Sequence, residues 1–378
     1  MKIMDTNTIN KTHISYTDLT GQHAYLKDEL LEAVSNVLDR CQFILGPEVE
    51  AFEQRFAELC GVSHAVAVNS GTDALVLALR ALDVGSGDEV ITVPNSFVAT
   101  TSAIVLARAR PVFIDVRDDY NMDPSQIESV ITSRTKAILP VHLTGRPAEM
   151  NTILEIAKRH HLYVIEDAAQ AVLAAYHTKR VGSFGTIGCF SLHPLKTLNA
   201  CGDGGVLTTN DSGLFKRLKI LRNLGLESRD RCSAWSGNSR LDTIQAAMLL
   251  VKLKYLPKWT EQRRLNAEFY LKQLGGLSEI RLPIEQSYEK CVYHTFVIRT
   301  DRRDELKSYL ADNQVETAIH YPIPLHLQES AASLNYKIGM FPMAEAQANH
   351  ILSLPIYPEL GQEKLNRVVS VIKKFYRG

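Results

Sequence analysis

Apolar positions recur at helical spacing over two early segments. Leu26, Leu30, Val34, Val37 and Leu38 are placed to share one helix face, and Val49, Phe52, Phe56 and Leu59 another. Gly61 follows the second segment as a C-cap. From residue 64 the pattern changes to short, almost wholly apolar runs. HAVAV (64–68), EVITV (89–93), PVFIDV (111–116), KAILPV (136–141) and LYVIED (162–167) predict strands, and GVLTT (205–209) predicts one more. Helical patterns lie between several of them, as over 72–82 and at Met150, Ile153, Leu154 and Ala157. Strands this apolar are buried on both faces, and their alternation with helices predicts an α/β fold with a mostly parallel sheet. After about residue 240 the texture changes. A helix is predicted from Asp242, whose spacing to Gln245 suits a capping box, to about Leu256. Beyond it, helical patterns surround a few strands such as VYHTFVIR (292–299). The predicted division is a large domain over 1–255 and a smaller C-terminal α+β domain over 256–378.

Composition narrows the function classes. The 378 residues suit two lobes better than one core. Basic and acidic residues balance at 42 each, so no basic excess argues for nucleic acid. No run of about 18 apolar residues predicts a membrane span. The N-terminus lacks the apolar core of a signal peptide, and the six cysteines form no C-x-x-C pair. The expectation is a cytoplasmic protein with free thiols and no metal site. His160 and His161, beside Lys158 and Arg159, are read as a solvated helix end.

Three polar segments fall at strand ends, where open α/β sheets bind ligands. Asn69-Ser70-Gly71-Thr72 opens a helix, a position that favours a phosphate or serves as an ordinary cap. Asp167 ends an apolar strand and is either structural or functional. Lys196 lies 29 residues later, after Ser191-Leu192-His193-Pro194 and before the glycine-rich 202–205. Taken alone it reads as a surface lysine. No G-x-x-x-x-G-K-[ST] or G-x-G-x-x-G motif is present. The order of the three is more specific than any one. Pyridoxal phosphate (PLP) chemistry needs phosphate donors, a carboxylate for the pyridine nitrogen and an amine.

From about residue 14 to the C-terminus the chain resembles the DegT/DnrJ/EryC1/StrS family of nucleotide-sugar aminotransferases. The matching segments include FILGPEVEAFEQRFA, NSGTDALVLALRAL, VITVPNSFVAT, VIEDAAQA, CFSLHPLKTLNACGDGG, SGNSRLDTIQAA, IHYPIPLH and SLPIYP. The resemblance implies PLP fold type I, the aspartate aminotransferase-like fold. It implies that Lys196 is the Schiff-base lysine and Asp167 the partner of the pyridine nitrogen. Gln170 is implied beside the ring hydroxyl, Phe97 stacked on the ring, and Gly71, Thr72 and Ser191 on the phosphate. Asn238 is implied to reach the phosphate of the other subunit in a homodimer with shared active sites. His320 is implied on the sugar side, whereas His193 is read as a tolerated loop residue. Three positions depart from the family's usual pattern: Gly185-Thr186, Val172-Leu173 and Leu198-Asn199.

The implied reaction moves an amino group, from L-glutamate, to a keto-sugar nucleotide. NSGTDAL, GDGG and NSRLDTIQAA look most like members that aminate a dTDP-3-keto-6-deoxyhexose. A 4-keto-sugar enzyme is the alternative, and a non-catalytic regulatory or assembly protein on the same fold is another. A sugar dehydratase of the family would carry His in place of Lys196, and a Rossmann dehydrogenase would need the missing glycine motif.

Overall fold

A computed structural model describes residues 13–377. Seven strands form the central sheet: β1 (His64–Val68), β2 (Glu89–Thr92), β3 (Arg110–Phe113), β4 (Thr135–Ile138), β5 (Tyr163–Asp167), β6 (Ile187–Ser191) and β7 (Gly205–Thr209). Their spatial order is β1-β7-β6-β5-β4-β2-β3. Only β7 runs antiparallel to its neighbours, so β1 points the same way as β2 to β6. The predicted mostly parallel α/β sheet is therefore present.

The two-residue strand period divides the core into two layers. Val66, Val68, Cys189 and Leu207 face one layer, with Leu75, Ala78 and Leu79 of the helix Gly71–Ala81. Ala65, Ala67, Phe190 and Val206 face the other, against Phe52, Phe56, Leu249 and Trp259. The helices Lys27–Arg40, Pro47–Cys60 and Thr243–Leu253 supply much of that second layer. Gly61 ends its helix in the left-handed conformation, as predicted (φ 68°). Leu38 differs from its predicted place. It is 51% exposed, and the buried stripe of that helix runs through Leu30 and Val37 instead.

A third core gathers Tyr270, Phe296, Ile298, Leu352, Leu354 and Ile372. It is built on the helix Leu256–Leu274, the strand pair β8 (Phe296–Arg299) and β9 (Ile351–Leu354), and the helix Gly361–Arg377. Ile14 packs into this core, so the start of the described chain returns to the C-terminal elements. The predicted capping box does not form. Asp242 occupies the N-cap position without a side-chain bond, and the Gln245 amide is used elsewhere. Its Oε1 accepts from Cys201 N (2.8 Å) and its Nε2 donates to Cys201 O (3.1 Å). His160 Nε2 meets Glu128 Oε1 at 2.9 Å, at an exposed helix end. Among the described residues no helix is long and apolar enough to cross a membrane.

Candidate active site

A cavity of about 290 Å³ opens at the carboxyl ends of the parallel strands. Strand β5 delivers Asp167 to its floor. The backbone is fixed by Asp167 N to Pro140 O (2.9 Å) and by His142 N to Asp167 O (3.0 Å). The carboxylate accepts from Thr100 Oγ1 (2.7 Å) and from Ala169 N (3.2 Å). The residue is only 4% exposed. Burial pushes its carboxyl up from the usual range, while those two hydrogen bonds and the charge of Lys196 pull the other way. The preceding residue, Glu166, points to the opposite face. It accepts from the backbone of Gly182, Phe184 and Gly185 and meets His142 Nε2 at 3.0 Å. One carboxylate of the pair thus holds a buried turn, and its neighbour stays with the cavity.

Strand β6 ends at Ser191, and the chain folds back through Lys196 N to His193 O (2.8 Å) and Ala200 N to Leu192 O (2.7 Å). This loop holds Lys196 in the cavity wall. Burial drags its ammonium down to about 8, with Asp167 opposing. Near neutrality a far larger share of Lys196 is free amine than for an ordinary lysine.

The helix Gly71–Ala81 starts against Ser191. Ser70 caps it by accepting from Asp73 N (3.1 Å). The first amides of a helix have no intrahelical partner, and the dipole there favours an anion. A Cβ on Gly71 would come within 2.6 Å of Ser191 Cβ, so the contact admits only glycine. Helix start and Ser191 hydroxyl together make a cradle suited to a phosphate dianion. Amine, carboxylate and cradle on one wall are the donor set that PLP requires.

On the facing side, Phe97 precedes the helix Val98–Leu106 and leaves its ring 51% exposed. That ring lies 5.7 Å from the ring of Tyr321. Gln170 accepts from Thr144 N (2.7 Å) and donates to the Tyr321 hydroxyl (3.2 Å). His320 Nδ1 meets Ser353 Oγ at 2.9 Å. Burial lowers its imidazole to about 4, so the ring is neutral at neutral pH.

Gly71, Thr72, Phe97, Asp167, Gln170, Ser191, Lys196 and His320 all line this cavity. Asn238 does not. It is exposed, and its carbonyl accepts from Asn69 Nδ2 at 3.4 Å. The cavity also holds Thr100, Tyr321, Tyr16, Arg263 and His294, which sequence reasoning did not single out. Thr100 follows Phe97 by three residues, a helical spacing that puts both on one side. Tyr321 lies inside the IHYP segment.

The model of the DegT/DnrJ/EryC1/StrS aminotransferase family matches residues 24–373. The chain belongs to this family. It is 42% identical to the dTDP-3-amino-3,4,6-trideoxy-alpha-D-glucose transaminase of Streptomyces venezuelae, over 96% of each chain. It is 44% identical to the UDP-N-acetyl-3-dehydro-alpha-D-glucosamine 3-aminotransferase of Acidithiobacillus ferrooxidans, over 97% of this chain and 99% of that one. It is 43% identical to a pleiotropic regulatory protein of Geobacillus stearothermophilus, over 97% and 99%. Among solved structures it matches S. venezuelae DesV in complex with a ketimine intermediate, with a TM-score of 0.94 and 42% identity over 97% and 99%. It also matches Bacillus subtilis NtdA with bound pyridoxamine phosphate, with a TM-score of 0.89 and 29% identity over 97% and 86%. The fold is that of PLP aminotransferases, and the family is one of PLP-dependent sugar transaminases.

The glycine contact gives a direct test of the cradle. Gly71→Ala should weaken PLP binding to the apoprotein by about 10- to 100-fold, the loss expected for one hydrogen bond to a charged group. Gly276→Ala adds a methyl where nothing lies within 4 Å and should bind normally. Absorbance titration reads both. Equal affinities in the two variants would remove the phosphate from this helix start.

Proposed function

We propose that this aminotransferase moves an amino group from L-glutamate to C3 of a dTDP-linked 3-keto-6-deoxyhexose. The observation that carries the amino-transfer reading is one cavity wall holding a lysine amine lowered to about 8, a buried carboxylate and a glycine-tight helix start. Both transaminases named above carry position 3 in their names, which supports C3.

PLP, when bound, supplies an electron sink for charge on the carbon that loses or gains the amine. Gly71, Thr72 and Ser191 would hold its phosphate, and Phe97 would cover its ring. Asp167 would keep a proton on the ring nitrogen, and its raised affinity for protons suits that sharing. Gln170, fixed by Thr144 and Tyr321, would orient the hydroxyl side. Lys196 Nζ is the anchor and the base that takes and returns the proton of the reacting carbon. His320, as a neutral imidazole, would meet the sugar by hydrogen bonding.

The protein is further proposed to be a twofold dimer in which Asn238 serves the neighbouring phosphate. Its exposure outside its own cavity supports this. Exposed Leu31, Leu38, Phe43 and Ile44 on the second layer's outer surface suit burial against another copy. The division near residue 255 is proposed to separate the PLP-binding lobe from a lobe that closes over the substrate.

A panel of keto-sugar nucleotides, incubated with holoenzyme and glutamate and followed by mass, tests the reading. Amination of a 3-keto dTDP sugar, with little on 4-keto sugars, is expected. Preference for a 4-keto or UDP-linked sugar would move the assignment within the family. The Geobacillus relative's name favours a regulatory second reading, and no turnover of any substrate would favour it here.

A further inference from the structure

The small-lobe wall of the cavity carries a cation that no carboxylate contacts. Arg263, on the helix Leu256–Leu274, is 6% exposed. Buried Arg222 pairs with Glu53, and partly buried Arg146 pairs with Glu289. Among the described residues, no ion pair within 4.0 Å is formed by Arg263. Its Nη1 donates to the carbonyls of Ile356 (2.7 Å) and Tyr293 (3.5 Å), while its Nε is buried without a partner. Glu359 acts on it electrostatically from further away. A buried guanidinium with no counter-ion in contact is costly to keep, and an incoming anion offsets that cost.

Two more unsatisfied groups stand beside it. His294 follows the Tyr293 carbonyl that Arg263 touches, and its Nδ1 is buried with no partner. The Thr295 hydroxyl is in the same condition. Arg263, His294, Thr295 and Lys196 all line one cavity. Burial, with the charges of Lys196 and Arg263, drives the His294 imidazole far below its usual range, leaving it a neutral hydrogen-bonding group.

We infer that Arg263, with His294 and Thr295, seats a carboxylate of the amino donor. The inference rests on the amino-acid donor proposed above. A nucleotide diphosphate is the competing anion. It is attached at the sugar's anomeric carbon, away from the keto carbon, and carries a bulky nucleoside. An amino acid carries its carboxylate one bond from the carbon that bears the amine, which suits a small buried compartment shared with Lys196. The planar guanidinium fork also matches carboxylate geometry.

The test uses holoenzyme and two variants, Arg263→Met and Arg263→Lys. Calorimetry with 2-oxoglutarate and with dTDP is paired with half-reactions on L-glutamate and L-alanine. In Arg263→Met the 2-oxoglutarate Kd and the glutamate KM should rise about 10- to 100-fold. The dTDP affinity and the cofactor's absorbance should stay as in the wild type. If the methionine variant does not fold, the lysine variant carries the test, with a loss of at least about fivefold because its point charge cannot chelate both oxygens. Losses with both amino acids place the α-carboxylate on Arg263, and a loss with glutamate alone places the distal one; each supports the site. Unchanged 2-oxoglutarate binding and KM in a folded variant would overturn it, as would weakened dTDP binding alone. If the wild type binds 2-oxoglutarate through Arg263 yet aminates no keto sugar, the site stands and the substrate reading fails.

Discussion

Lys196→Ala should retain PLP through the Gly71–Ser191 cradle yet lose turnover by at least about 10²–10⁴, the range for removing a positioned proton carrier. The true loss should exceed that range, because the amine proposed to anchor the cofactor goes with it. Borohydride reduction of wild-type holoenzyme should tag the peptide that contains Lys196, and the alanine variant should take no tag. A tag on another lysine would reassign the role. The lowered ammonium adds a pH signature. At about pH 8 half of Lys196 is free amine, against under about 1% for a lysine near 10.4. The rate at which apoprotein captures PLP should climb through pH 8 and level above it. A climb centred near 10 would mean that the lysine is exposed.

Asp167→Asn should leave cofactor bound and cut the glutamate half-reaction by about 10²–10⁴, since the amide cannot keep a proton on the ring nitrogen. The apoprotein should respond in the opposite direction. Burial raises the folded-state affinity of Asp167 for its proton. Ionisation therefore costs stability as pH rises through the unfolded value of about 3.9 and on past the folded one. Asn carries no such cost. The Tm of Asp167→Asn apoprotein should equal or exceed the wild type at pH 7, with the gap closing below about pH 4. A lower Tm at pH 7 together with an unimpaired half-reaction would make this carboxylate structural.

Most of the sheet was legible because strands buried on both faces leave uninterrupted apolar runs. HAVAV and GVLTT match β1 and β7 residue for residue. PVFIDV was read too long because its last residues pair with an isolated bridge, Val116 to Met122, after β3 has ended. VYHTFVIR was likewise overread. Tyr293 takes a left-handed conformation (φ 48°), and only 296–299 enter β8. The capping box failed because pattern alone cannot see that the Cys201 main chain competes for the Gln245 amide. Two-residue strands such as Ala175–Tyr176 and Glu289–Lys290 are too short to leave a period.

At the site, strand-end residues were legible because topology puts every parallel carboxyl end on one edge. Arg263 was not. It stands next to Arg264 in a polar stretch of helix, and Arg264 makes an ordinary ion pair with Glu285 (2.8 Å). Only the third dimension tells which of the two points inward. Thr100 was missed for a related reason, since a threonine in an apolar helix leaves no sign of the carboxylate it meets.

The reversed strand β7 imposes an order in time on the chain. Among the described residues β1 is an edge strand with β7 as its one neighbour in the seven-stranded sheet, paired from His64 to Thr209 through Val68 to Gly205. During synthesis β1 therefore waits for more than half of the protein to emerge before it has a partner. Gly71 likewise reaches Ser191 across a long separation in sequence. Such distant pairings are slow to form and leave edges open meanwhile. A nascent chain that stops short of residue 191 has the helix start but no Ser191 to press it against. PLP bound in that cradle would then stabilise only chains that have completed this closure.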